Sequence, residues 1–431
     1  MAGGLLFAAC GNDNKQCSLT DPSTCDNGLV CEAYSDGSGM HNACVAPTLL
    51  RGHITNALTG GPVAGALVVA IDGSSHASVG PVVVSDATGN YAIRVVAPRM
   101  SGATTDYTLR VSAVGYEDFP SGIRISLPIE VMFQDPKGAA TVTGPQDVAL
   151  VPIANPPAGA IAGSVSGQSH AGVLVVAEAG GKGYSAVTDS GGSYAILNVP
   201  DGSYTVSGYF IGVQYAKLDG VTVAGARKDG VNLAETGAAA GKLTGSLDYV
   251  AGAPNNQTAV VLQLPSTKEV PPGFSAPAMN GPYTLDGVPD GTYNVLAAYP
   301  NDGLVKDPDT TLGNTGTPTV TFSGGNTVDA GSFKVTGPVD MIGPDANQIV
   351  MGTPTFTWMA YSSSGLYRLN VFDSEGNQIW TMDTSATSLA YGGPALVSGG
   401  FYQWRLIAFH STDTTRQISM TEDLRGVWQE K

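Results

Sequence analysis

The chain has 431 residues, enough for several domains rather than a single core. Charged residues make up 13% of it against 42% hydrophobic ones, which excludes a disordered solvating chain. A net charge of −16 with no basic cluster excludes nucleic acid as a partner.

The first predicted element is Leu5-Leu6-Phe7-Ala8-Ala9-Cys10, an apolar run that ends in small residues directly before a cysteine. Phe7-Ala8-Ala9-Cys10 resembles the lipobox of bacterial lipoproteins. The resemblance implies that residues 1–10 are the signal and lipobox, that Cys10 is acylated, and that the partner is a membrane. Two acyl chains supply the double hydrophobic signal that stable anchoring requires. Gly11 follows the cysteine where such proteins often carry an inner-membrane retention aspartate, which points to the outer membrane or cell surface. Met1-Ala2-Gly3-Gly4 carries no positive charge and the run is short for a signal core, so either the signal is truncated at its start or the run is a buried strand. No later stretch reaches the roughly 18 apolar residues of a spanning helix.

Residues 11–48 hold the other four cysteines, Cys17, Cys25, Cys31 and Cys44, and none follows. They are separated by seven, five and twelve residues, without the paired C-x₂-C knuckles of a zinc site. A segment this polar and short cannot fold on apolar area alone, so two disulfides are expected, with three connectivities open.

Next come three segments with one internal plan. Each opens on an apolar-x-Gly-x-apolar strand: Leu50-Arg51-Gly52-His53-Ile54, Ile161-Ala162-Gly163-Ser164-Val165 and Leu243-Thr244-Gly245-Ser246-Leu247. A turn followed by a Tyr-bearing strand comes later in each, at Asp86-Ala87-Thr88-Gly89-Asn90-Tyr91, Asp189-Ser190-Gly191-Gly192-Ser193-Tyr194 and Asn280-Gly281-Pro282-Tyr283. Gly after Asp or Asn supplies the positive φ that tight hairpins demand. These copies, over residues 49–152, 158–234 and 241–335, resemble the carboxypeptidase regulatory-like family. That resemblance implies a transthyretin-like β-sandwich for each, and its wider class includes carbohydrate binders.

Residues 340–428 change style, with Pro354-Thr355-Phe356-Thr357-Trp358 and Phe401-Tyr402-Gln403-Trp404 as alternating strands. They resemble a fibronectin type III-like sandwich, with Trp358 and Trp404 expected in its core. The expected fold is therefore all-β: tandem small β-sandwiches, three carboxypeptidase regulatory-like and one Ig- or fibronectin-like, after a small disulfide-stapled segment.

Chemistry is sparse. His41, His53, His76, His170 and His410 are isolated, with no H-E-x-x-H and no G-x-S-x-G elbow. Gly191-Gly192 and Gly324-Gly325 read as turns rather than phosphate loops. A glycosidase carboxylate pair is a matter of spatial separation and stays open. Calcium could be held by the loop-tip residues Asp86, Asp189, Asp201 and Asp290, although turn capping explains them as well. Tyr209, Phe210, Tyr215 and Tyr299 could stack on sugar rings if exposed, with core packing as the rival. The segment Asp307-Pro308-Asp309-Thr310-Thr311 reads as a long loop. The expectation is a protein with no enzymatic activity and no cofactor. It would be a rod of sandwiches acting as spacer or interaction scaffold at the bacterial envelope. The alternatives are a carbohydrate-binding surface protein or a non-catalytic subunit of an extracellular enzyme assembly, with envelope proteins or glycans as partners.

Overall fold

Short Val-, Ile-, Thr- and Tyr-rich runs between Gly, Asn and Asp turns favour strands over helices, because branched and aromatic side chains suit a half-buried pleated surface. A computed structural model describes residues 17–18, 24–25, 28–35, 39–124, 126–134, 141–250, 258–278, 280–298, 305–306, 319–422 and 425–431. The protein is all-β and built of tandem sandwiches. Among the described residues, no helix is long and apolar enough to cross a membrane.

The amino-terminal segment is a hairpin of Val30–Ser35 and Met40–Val45, fixed by disulfides Cys17–Cys31 and Cys25–Cys44. The two bridges overlap in sequence. Glu32, beside Cys31, is buried and accepts hydrogen bonds from Arg99 Nε and Nη2 at 3.1 and 2.6 Å. That ion pair ties the hairpin to the first sandwich.

The three repeats share a strand plan. In each, the opening strand pairs antiparallel with the Tyr-bearing strand and parallel with the closing strand. Thr48–Asn56 lies between Asn90–Val95 and Val148–Leu150. Gly159–Ser166 lies between Ser193–Val199 and Leu233–Ala238. Gly241–Tyr249 lies between Gly281–Val288 and Thr327–Thr336. A second four-stranded sheet closes each sandwich, centred on Leu67–Asp72, Leu174–Ala179 and Ala259–Gln263.

Register explains the Gly and Tyr signature. Gly52 faces Tyr91, Gly163 faces Tyr194 and Gly245 faces Tyr283. A Cβ on Gly52 would lie 2.0 Å from the Gln146 carbonyl oxygen, and one on Gly163 1.9 Å from that of Val231. The Tyr91 and Tyr194 hydroxyls donate to those same two oxygens, each at 2.6 Å. Only glycine leaves room for the ring and the returning backbone together. A second tyrosine in copies two and three, Tyr204 and Tyr293, donates back to the Pro200 and Pro289 carbonyls.

The cores are separate in the first and second sandwiches, but the second sandwich is buried on two sides. Along Leu174–Ala179, Val175 and Ala177 face its own core. Leu174 and Val176, with Val187 and Tyr209, pack into the core of the third sandwich, where Tyr209 meets Tyr293 edge-on at 6.3 Å. This two-sided burial accounts for the unbroken apolar run Val173-Leu174-Val175-Val176-Ala177, since a strand covered on both faces has no polar side.

The last sandwich has a three-stranded sheet centred on Thr355–Trp358 and a larger one centred on Phe401–His410. Trp358 and Trp404 are buried in its core, together with Trp428 on Val427–Glu430. The Trp404 indole donates to the Pro344 carbonyl at 2.6 Å.

The sandwiches do not run end to end as the expected rod. Ile123 N donates to the Ser374 carbonyl, and Gln429 Nε2 to the Ala57 carbonyl, so the first sandwich touches the fourth. This fold-back is not legible in the residue pattern, because contacts between sandwiches carry no periodicity of their own.

Candidate functional site

Loop-tip residues named from the sequence are occupied by local structure. Asp86 Oδ1 accepts from Thr88 N and Asn90 N at 2.8 and 2.9 Å, and these bonds hold its carboxyl below the usual range, that from the Thr88 hydroxyl foremost. Asp189 Oδ1 accepts from Gly191 N and Ser193 N, both at 2.9 Å. Asp201 Oδ1 accepts from Gly225 N, while Asp290 N donates to Gln214 Oε1 in the second sandwich. These are turn and junction bonds. Among the described residues, three metal-capable side chains come together only at Cys17, Cys25 and Cys31, whose sulfurs are joined in disulfides.

Tyr209 and Tyr215 are buried, which removes them as an exposed sugar platform, and Phe210 is half-buried against the second core. His53 Nε2 contacts the Thr88 carbonyl, and His170 Nδ1 that of Gly167. Cys10, Tyr299 and residues 307–311 lie outside the described residues.

The polar chemistry gathers where the sandwiches meet, at residues the sequence did not single out. On Thr104–Ser112, Tyr107, Leu109 and Val111 point into the first core, which turns Arg110 to the opposite face. There Arg110 is buried. Its Nη1 donates to Glu269 Oε1 of the third sandwich at 2.5 Å. Its Nη2 donates to the carbonyl and hydroxyl of Ser185 in the second, at 3.1 and 2.9 Å. Asp118 adds a carboxylate 3.5 Å from Nη2. One guanidinium thus binds three sandwiches, and a buried charge costs several kcal/mol unless partnered in this way. A cation between Leu109 and Val111, in a chain with only 20 Lys and Arg, was the sequence signal available.

Asn198 joins the first two sandwiches by a fully satisfied amide. Its Nδ2 donates to the Ala113 and Tyr116 carbonyls and its Oδ1 accepts from Gly115 N. Next along the first sandwich, Glu117 Oε1 accepts from the Ser374 hydroxyl of the fourth at 3.0 Å. Burial pushes the Glu117 carboxyl up to about 7. Arg124 lies between the rings of Phe119 and Phe401, 4.9 and 4.6 Å from their centres, and burial lowers its guanidinium to about 10.

A cavity of about 470 Å³ opens beside these groups. All four sandwiches wall it, with Leu174 from the second, Val261 from the third and Arg405 from the fourth among its lining. The junction is equipped to hold the modules in fixed relation.

Comparison with known proteins supports the first repeat directly: residues 50–128 match the family model for the carboxypeptidase regulatory-like domain. Among curated proteins, none matches this chain. Solved structures similar to it include the Bacillus anthracis TIE protein, at 11% identity over 90% of this chain and 72% of that one, with a TM-score of 0.16. The major pilin subunit BcpA of Bacillus cereus is 11% identical over 67% of this chain and 99% of that one, with a TM-score of 0.18. A DUF3823 family protein from Parabacteroides merdae is 16% identical over 44% of this chain and 98% of that one, also at 0.18. Superpositions this loose add nothing to the fold established by the sheets.

Proposed function

We propose that the chain is a non-enzymatic lipoprotein, acylated at Cys10 and held at the outer membrane or cell surface, where its sandwiches present a fixed interaction scaffold. The observation that carries the scaffold reading is the buried Arg110 cluster, which secures three sandwiches through one side chain. Buried ion pairs of this kind favour one arrangement over others more than they add stability. The overlapping disulfides support an oxidising compartment, where such bonds form and persist. The Phe7-Ala8-Ala9-Cys10 run supports the anchor. Metabolic labelling with a palmitate analogue tests it. Label is expected on the wild-type chain and lost in Cys10→Ser, whereas label that survives the substitution rejects acylation at this thiol.

A further inference from the structure

The chain carries only 20 Lys and Arg among 431 residues, yet Arg110, Arg124, Lys268 and Arg405 all line the cavity at the junction. Its one acidic lining residue, Glu269, is already engaged by Arg110 and Ser185. Around this one hollow the lining of an acidic protein carries more cations than carboxylates, although Asp118 also meets Arg110 and Glu117 acts on Arg124 from behind the wall.

Arg110 keeps a buried Nε without a partner but is met by Glu269 and Asp118. Arg124 Nη1 is also buried without a hydrogen-bond partner, and Glu117 attracts this guanidinium by charge without a hydrogen bond. Two aromatic rings hold the guanidinium in place and shut water from its faces. A buried donor left unmade is costly, more so for a charged group, so an arriving oxyanion would gain what the folded chain forgoes.

Arg124 also lines a second hollow, a groove of about 850 Å³ between the first and fourth sandwiches. Leu127, Ile129, Ile349 and Phe401 are among its walls, with Leu127 64% and Ile349 53% exposed. The cation therefore lines both hollows, and the groove sets these apolar side chains beside Asp147, Asp345 and Arg425. Both volumes fall in the roughly 300–1,000 Å³ range of ligand sites, which favour domain interfaces and combine apolar walls with a few convergent polar groups.

We propose that this junction binds a small amphiphilic anion, with its oxyanion head group on Arg124 and its apolar body along the groove past Leu127 and Ile349. The site is independent of the membrane anchor and stands or falls without it.

Calorimetric titration of the full chain carrying Cys10→Ser, which keeps acyl chains out of the assay, tests the proposal with decanoate, decyl phosphate and decanol below their aggregation concentrations. At least one of the two anions is expected to bind saturably at one site, at least about tenfold more tightly than the alcohol, the worth of one charge-assisted hydrogen bond. The tighter of the two anions identifies the head group as carboxylate or phosphate. Arg124→Met should abolish the preference for the anion, and Leu127→Glu, at an exposed groove position, should weaken all three ligands. If Arg124→Met does not melt cooperatively, the wild-type ratio of anion to alcohol together with Leu127→Glu decides. Absence of saturable binding, equal binding of anion and alcohol, or an anion preference that survives Arg124→Met overturns the proposal.

Discussion

Gly163 and Tyr194 lie 31 residues apart in the chain and in register in the sheet, and the space one lacks is filled by the other. The same pairing in the third copy is incomplete, because the Tyr283 hydroxyl is buried without a partner. The two tyrosines should therefore answer the same substitution differently. Tyr194→Phe leaves the Val231 carbonyl without this donor and should cost about 1–2 kcal/mol, whereas Tyr283→Phe removes an unsatisfied group and should be neutral or slightly stabilising. Denaturant midpoints of the two variants check this, and equal losses would contradict the assignment. At this scale the sequence was legible in kind but not in contact. It showed that Gly and Tyr recur, and register alone brings them together. The same holds for Asp86 and Asp189, whose turns were readable because the bonds they make are local.

Between elements, contacts are made by side chains whose partners lie in another sandwich, which is why Arg110, Asn198, Glu117 and Arg124 escaped the sequence: alternation turns Arg110 away from its own core, and Glu117 and Arg124 lie outside the strands. Glu117 gives this scale a measurable signature. It faces the Ser374 hydroxyl, which eases its ionisation, and Arg124, while Glu375 and Asp373 of the fourth sandwich oppose it. Burial raises its folded pKa to about 7, above the 4.5 usual for a glutamate carboxyl. The folded state thus holds a proton that the unfolded chain has released. The contribution of Glu117 to stability is complete below about 4.5 and is lost as pH rises through about 7. The melting temperature of the protein should fall between pH 5.5 and 7.5 by more in the wild type than in Glu117→Gln, with calorimetry following both. Parallel pH profiles would show that Glu117 does not titrate in this window.

The whole molecule departs most from what a linear reading suggests. Repeats along a sequence invite the picture of beads on a string, and the fold-back of the fourth sandwich onto Ala57 and Glu117 replaces it with a cluster. Small-angle scattering separates the two. A single globule of this length has a radius of gyration of about 22 Å, and an end-to-end rod of four sandwiches would approach roughly twice that. The value should lie nearer the first, and one near the second would contradict the contacts. The two-sided burial of Leu174–Ala179 also bears on how the polypeptide is made. As it emerges from its amino end, the second sandwich is finished by residue 238, but its outer flank stays wet until Ala259–Gln263 and Gly291–Ala298 arrive. A nascent or clipped product ending in that interval would carry Leu174, Val176, Val187 and Tyr209 uncovered. The interval is therefore where this chain most needs a chaperone.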